Sequence, residues 1–306
     1  MIAYIIKRIL IAIPLMLGVM LIIFLILNVL PGDPITVMMG EKAKPEVIAR
    51  VTEQMGLNDP VMTRFFRYVK NALRLDFGMS YKLNRDVGQM IREAFPNTVK
   101  LALSAALVAW CIGIPTGVIS AIKRNSAADN ILMGFSLLGV SAPIFFAALV
   151  AQYFISFKLG WLPITGYSSF KHMILPAVVL GWASSASVAR LTRSNLLEVM
   201  RNDFIRTARA KGQSESGVVV RHALKNSMLP VVTVMAIQIS SLLSGAVITE
   251  SLFGIPGIGR LTVDAINKRD MPLLQGSVLF CTMLVLAGNI VADIAYSFID
   301  PRIRVK

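Results

Sequence analysis

A chain of 306 residues that is 55% apolar and only 16% charged is poorly suited to clothe a soluble domain, which ordinarily carries about 25% charged residues. The mean hydropathy of +0.67 fits a protein whose solvent is lipid over much of its surface. A net charge of +14 is compatible with a nucleic-acid ligand. The Lys and Arg residues, however, lie between long apolar runs, as in loops held at anionic lipid headgroups, so no nucleic-acid partner is expected. Cys111 and Cys281 each sit inside an apolar run, at a spacing that suits neither a zinc site nor a disulfide framework, and no metal site is expected.

A helix needs about 20 apolar residues to cross the hydrocarbon core, because backbone groups there find partners only within the segment. The runs 9–30, 101–122, 131–157, 173–189, 226–249 and 271–292 predict an all-α integral membrane protein with six transmembrane helices. The first follows Lys7 and Arg8 and ends at Leu30-Pro31-Gly32-Asp33-Pro34. That stretch offers no small-x-small cleavage site, so the run reads as a retained span and not a signal peptide. The loop at 31–98 reads as a helical insertion. Residues 45–55 make a short helix closed by Gly56, and 60–73 repeat Val61, Phe65, Val69 and Leu73 on one face. Val87, Met90, Ile91 and Ala94 form a third stripe, and the resulting cap either steadies the first two spans or docks a partner.

Gly113 and Pro115 in the second span predict a kink, as does Pro143 after Ser141-Ala142 in the third, where the bend is a candidate gate. The fourth run is the shortest and spans if Arg190 and Arg193 snorkel to the interface. After it, Asn202 and Asp203 are candidate caps for a helix over 204–211, which Gly212 closes as a left-handed cap. Ser214 then opens a second helix through Val218 and Val219 towards Leu224. This helix, turn and helix reads either as a compact knob for another protein or as a solvated basic loop at the headgroups. In the last two spans, Gln238, Ser240, Ser241, Ser244, Asn289 and Asp293, with Glu250 at the outer end of the fifth, are candidates for a translocation pathway or for hydrogen bonds between helices.

Basic residues in the short loops set the orientation. Lys7, Arg8, Lys123, Arg124, the dense group within 190–225 and Arg302, Arg304 and Lys306 fall on one side. Fewer fall on the other: Lys158, Lys171, Arg260, Lys268 and Arg269. Both termini and the 190–225 loop are therefore expected in the cytoplasm, and the 31–98 insertion outside it.

The stretch Asp203-Phe204-Ile205-Arg206-Thr207-Ala208-Arg209-Ala210-Lys211-Gly212 resembles the EAA loop of the permease subunits of ATP-binding-cassette importers, in the version of the dipeptide, oligopeptide, glutathione and nickel branch. The general pattern is Glu-Ala-Ala, three residues, then Gly. Arg206 and Thr207 replace its Glu and first Ala, Ala208 and Gly212 match, and Leu229-Pro230 comes later than the general spacing. Further landmarks agree in order: Leu30 to Pro34, Leu75-Asp76-Phe77-Gly78-Met79-Ser80, Ser141-Ala142-Pro143, Leu159-Gly160-Trp161-Leu162-Pro163, Pro256-Gly257-Ile258-Gly259-Arg260 and Asp300-Pro301-Arg302-Ile303-Arg304.

The resemblance implies a multi-pass protein of the bacterial inner membrane, divided into 1–30 with the first span, a cap at 31–98 and a permease core at 99–306 whose coupling loop covers about 195–228. It implies that Asp203, Arg206, Thr207, Ala208, Arg209, Ala210, Lys211 and Gly212 dock into a cleft of an ATPase subunit. It further implies two such ATPases, a second related permease and an extracytoplasmic binding protein. ATP and Mg would reside on those partners, since this chain has no Gly-x-x-x-x-Gly-Lys-[Ser/Thr] loop and no cofactor of its own is expected. The pathway or gate would draw on Ser141, Pro143, Gln238, Ser241, Ser244 and Glu250. The implied cargo is a di- or oligopeptide or glutathione, with nickel or a nickel chelate as the alternative. A secondary transporter or channel would share the hydropathy but more often shows an internal repeat, and none is apparent. An enzyme has little to work with: His172 and His222 are the only histidines, and the topology puts them on opposite sides of the membrane.

Overall fold

In the computed structural model of the chain, residues 2–29, 52–53, 58–243 and 246–299 are described, with side chains at 10–26, 52–53, 58–243 and 246–291. The expected helix at 45–55 lies largely outside them. So do the motifs at 30–34 and 300–304, the side chains of Lys7, Arg8 and Asp293, and the whole of Ser244. Among the described residues the regular structure is helical, apart from one isolated antiparallel bridge between Met79 and Asp86.

Helix α1 (Ile2–Val29) precedes the short amphipathic α2 (Val61–Ala72). The buried stripe of α2 packs on α1, with the Phe24 and Phe65 rings 5.5 Å apart. Next comes α3 (Val87–Ile122), 36 residues capped by Asp86, whose carboxylate accepts the Gln89 amide at 2.7 Å. The stripe of Val87, Met90, Ile91 and Ala94 is thus not a separate element of the insertion. It forms the first turns of the second-span helix, which continues unbroken past residues 98 and 99.

The third expected span is a broken one. Helix α4 (Ala127–Ser141) and helix α5 (Ile144–Lys158) meet at 107°. Ala142 is extended, and Pro143 acts as the first cap of α5, its carbonyl accepting the Phe146 and Ala147 amides at 2.9 and 3.1 Å. Proline supplies no N–H to continue α4, so the bend falls where it was expected but is far sharper than a kink. The last seven residues of α5, Gln152–Lys158, widen into a π-helix.

Helix α6 (Lys171–Val199) outruns its apolar segment and carries Arg190 and Arg193 within it. Arg193 does not snorkel: it pairs with Asp129 on α4. After the short α7 (Asp203–Ala210), α8 runs from Glu215 to Leu243 through a π segment at Val218–Leu224. The expected second loop helix and fifth span are therefore one helix, and Ala246, outside any helix, parts it from residue 249. Glu250 does not end that span: it lies on a separate short helix, α9 (Val247–Phe253). A further amphipathic helix, α10 (Ile258–Lys268), precedes α11 (Met271–Ile299).

Among the described residues, four helices are long and apolar enough to cross a membrane: α3, α6, α8 and α11, the last over Met271–Val291. The bent α4–α5 pair makes a fifth, and α1 contributes the apolar residues Leu10–Ile26.

The strongest packing joins α3 to α6, and glycines permit it. A Cβ on Gly181 would lie 2.6 Å from the Ala105 carbonyl oxygen, one on Gly113 2.8 Å from that of Ser185, and one on Gly117 2.5 Å from that of Ala189. Gly113 and Gly117 form a GxxxG pair, the pattern that lets two membrane helices touch backbone to backbone. Gly113 thus serves packing, and α3 passes through Pro115 without a break. These contacts advance together along both helices, so α3 and α6 run parallel. The chain between them must therefore return from the end of α3 to the opposite end of the bundle before α6 begins.

Candidate coupling element and a polar cluster at the opposite end

The described residues place the candidate side chains at two ends of the bundle. At one end, α7 packs on a small apolar cluster. Ile205 and Ala208 are buried against Ala121 of α3, Leu196 of α6, and Val218, Val219 and Ala223 of α8. A two-turn helix has little intrinsic stability, so this inward face holds it, together with two polar devices. Gly212 adopts φ +78°, reversing the chain as a left-handed cap. Arg209 then forks onto Glu215 at 2.7 and 3.1 Å, clamping the end of α7 to the start of α8.

Ser214 caps the second helix as expected, accepting the Gly217 amide. Asn202 stands at the N-cap of α7 in extended backbone but makes no side-chain cap bond, and Asp203 stands in its first turn. Of the eight candidate coupling residues, Ala208 points inward, so its small size serves packing and not an outward face. Asp203, Arg206, Thr207, Arg209, Ala210, Lys211 and Gly212 are exposed, with Phe204 beside them. Arg206 and Asp203 are 3.6 Å apart and largely in solvent, where such a pair adds little. The face is therefore preorganised, basic and free of bulky obstruction at Ala210 and Gly212.

The pathway candidates do not converge on one place. Ser141 and Pro143 are exposed at the α4–α5 bend. Gln238 reaches from α8 to α6, donating to the Ser184 carbonyl at 2.7 Å and to the Ser187 hydroxyl at 2.9 Å, which is the behaviour of a bond between helices. Ser240 is buried at the α8–α11 contact, where a Cβ on Gly288 would lie 2.3 Å from its hydroxyl oxygen. Ser241 and Asn289 are exposed on α8 and α11.

Glu250 is the centre of the other end. Its carboxylate is fully buried, accepts the Thr98 hydroxyl at 2.7 Å and the Arg260 amide at 3.1 Å, and is also met by the Gly259 amide. Thr98 in turn accepts the Ile258 amide at 2.9 Å. One acid and one hydroxyl thereby satisfy the first amides of α10, which have no partners inside that helix. Burial nevertheless outweighs these donors and pushes the Glu250 carboxyl above its ordinary value. The run Pro256-Gly257-Ile258-Gly259 makes room for it: a Cβ on Gly257 would come within 2.3 Å of the Glu250 carboxyl carbon. Asn97 donates to the Pro256 carbonyl at 2.8 Å, and the Gly166 amide to the Phe253 carbonyl at 2.8 Å. Gln152 donates to the Ile164 and Leu252 carbonyls.

A second buried acid works alike. Asp270 accepts the Ser80 hydroxyl and the Tyr81 and Lys82 amides, pinning the loop after α2 to the start of α11. Sequence patterns missed Thr98 and Asp270 because each lies at a helix end, where a polar residue needs no explanation. An acid preceding a Pro-Gly-x-Gly run was the available signal for Glu250.

A family model described as the binding-protein-dependent transport system inner membrane component matches residues 113–305, and the model of its N-terminal region matches residues 1–102. The chain is 38% identical to the dipeptide transport system permease protein of Alkalihalophilus pseudofirmus, over 99% of this chain and all of that one. It is 40% identical to the glutathione transport system permease protein of Escherichia coli strain K12, over the full length of both. Among solved structures, the inward-facing MetNI methionine transporter matches with a TM-score of 0.60 at 16% identity, covering 69% of this chain and 97% of that one. An amino acid ABC transporter crystallised with histidines matches with a TM-score of 0.51 at 14% identity, covering 70% and 94%. These structural likenesses speak to the fold.

Proposed function

This chain belongs to the binding-protein-dependent transport system inner membrane components, and on that premise we propose that it forms half of a conduit through which an ATP-driven importer brings a short peptide or glutathione into the cell. It is a multi-pass permease of the inner membrane. The observation that carries the coupling part of the reading is the seating of Asp203–Ala210: its buried side rests on the ends of α3, α6 and α8, and Gly212 delivers the chain directly into α8. In this reading Asp203, Arg206, Thr207, Arg209, Ala210, Lys211 and Gly212 present the docking face to an ATPase subunit, which binds ATP and Mg. Ala208 holds the face in place from behind.

The full arrangement proposed is six crossings with both termini in the cytoplasm, a helical insertion at 31–98 outside and a permease core at 99–306. The parallel course of α3 and α6 supports it, because the bent α4–α5 pair must then cross once between them. The apolar α1 and its packing on α2 and α11 support a first crossing. A second permease completes the conduit, and an extracytoplasmic binding protein delivers cargo to the end that holds Glu250. Ser141, Pro143 and Ser241 remain pathway candidates on their exposure, and Ser244 on its position. Gln238 and Glu250 act instead as ties that keep the moving parts in register.

The test is reconstitution of the chain with its partner permease, two ATPase subunits and binding protein in proteoliposomes. ATP-dependent accumulation of labelled dipeptide or glutathione is expected. Accumulation without ATP, or none of either cargo with an active ATPase, would sink the reading.

A further inference from the structure

Between the start of α3 and α10 lies a cleft of about 470 Å³, lined by Arg85, Glu93, Asn97, Pro256, Arg260 and Asp264 among others. That volume sits within the roughly 300–1,000 Å³ usual for small-molecule sites. Most of its polar groups are already engaged. Arg85 forks onto Glu93 at 2.8 Å, and Asn97 donates to the Pro256 carbonyl. Arg260 and Asp264 are not. They stand one turn apart on α10, both half-buried, and among the described residues neither side chain has an ion-pair or hydrogen-bond partner, not even the other.

A partly shielded guanidinium and carboxylate that do not neutralise each other leave both charges free for a ligand that bears both signs. Residues one helical turn apart lie on one face of a helix, so the two side chains can meet opposite ends of one short ligand.

We propose that this cleft is a subsite for the charged ends of a short peptide, with Arg260 taking the α-carboxylate and Asp264 the α-ammonium group. The proposal rests on the peptide-importer reading and gives it a recognition step on the permease itself. The Arg260 backbone amide is one of the donors to Glu250, and Gly257 separates the cleft from the Glu250 carboxyl. A bound peptide therefore rests on the segment that Glu250 pins.

The test uses the assembled transporter in lipid nanodiscs without its binding protein, so that only the permease can select. Saturation-transfer NMR would measure binding of alanyl-alanine, its N-acetyl derivative and its C-terminal amide. Wild type should bind the free dipeptide about tenfold more tightly than either blocked form, the usual effect of losing one charge-assisted hydrogen bond. Arg260→Gln should erase the preference for the free carboxylate and keep that for the free amine. Asp264→Asn should do the reverse, and Arg260→Lys should restore part of the first preference. Basal ATPase activity reports that each variant is assembled, and the wild-type comparison stands alone if a variant is not. Equal binding of all three peptides by wild type, or retention of both preferences in the variants, overturns the subsite. If that wild type still imports dipeptide in proteoliposomes, the importer reading survives; a wild type that imports no peptide overturns both.

Discussion

Arg193 meets Asp129 fork to fork, with Nε 2.8 Å from Oδ1 and Nη2 2.7 Å from Oδ2, across 64 residues of chain. Asp129 is almost wholly buried and also accepts the Asn125 amide, so the pair fastens the first turn of α4 to α6. A bidentate Arg–carboxylate contact fixes orientation as well as distance. It holds the start of the broken span while the 107° bend lies at its other end.

Removing Asp129 should therefore cost more than removing both partners. Asp129→Ala leaves the Arg193 cation unpaired and should destabilise the permease by about 2–3 kcal/mol, below the full range for a buried pair because Arg193 is only partly buried. Asp129→Ala with Arg193→Ala should recover part of that loss. Thermal unfolding of the purified complex reads both, and an equal fall for the single and double variants would deny the pairing its importance.

Gly117→Val tests the contact between α3 and α6. A Cβ there would lie 2.5 Å from the Ala189 carbonyl oxygen and 2.6 Å from the Thr192 Cβ, so the helices must part. Overpacking of this kind costs about 1–3 kcal/mol. Gly134→Ala, where nothing lies within 4 Å, is the matched control and should leave the melting temperature unchanged.

At Gly212 the backbone stands at φ +78°, in the left-handed region. Gly212→Ala should cost about 1–2 kcal/mol locally. Gly212→Pro, which forbids that conformation, should disconnect α7 from α8. ATP hydrolysis is then expected to continue while uptake per ATP falls sharply, with the permease at normal level in the membrane. Normal uptake at that level would refute the coupling assignment.

Glu250 gives a pH prediction. It lies on α9, between the segments long enough to cross the membrane, and burial raises its pKa above the ordinary 4.5. A carboxyl with a raised folded-state pKa contributes most when protonated, and that stability is lost as pH rises from its unfolded value through the folded one. Glu250→Gln, neutral at every pH, should match wild type below about pH 4.5 and become the more stable of the two above it, as read by melting temperature across a pH series. Gly257→Ala should be damaging at all pH values, since its Cβ collides with the same carboxyl group.

Much of this architecture is legible in the sequence because lipid imposes a simple rule on it. Runs without charge predicted the long helices, and Gly212 and Ser214 predicted the turn and cap that stand there. Other features depend on distance across the fold. Nothing adjacent to Arg193 reveals that Asp129 waits for it on another helix, so an interfacial role was the natural expectation. Glu250 follows an apolar run and reads as its last residue, although the non-helical Ala246 sets it on a separate helix. Hydropathy responds to the solvent around a segment and is blind to whether its backbone is one helix or two. That is also why the sharpness of the bend at Pro143, and the fusion of the second loop helix with the fifth span, emerge only from the folded chain.

The fusion has a consequence for how such a chain tolerates change. Beyond the π segment, from Lys225 to Leu243, every residue is in α-helical phase with every other, at about 100° per position. A single insertion between Lys225 and Gln238 would rotate the far half by that angle and swing Gln238 away from Ser184 and Ser187. The spacing between the end of the π segment and Gln238 is thus a fixed count of residues, and length variation must fall outside it.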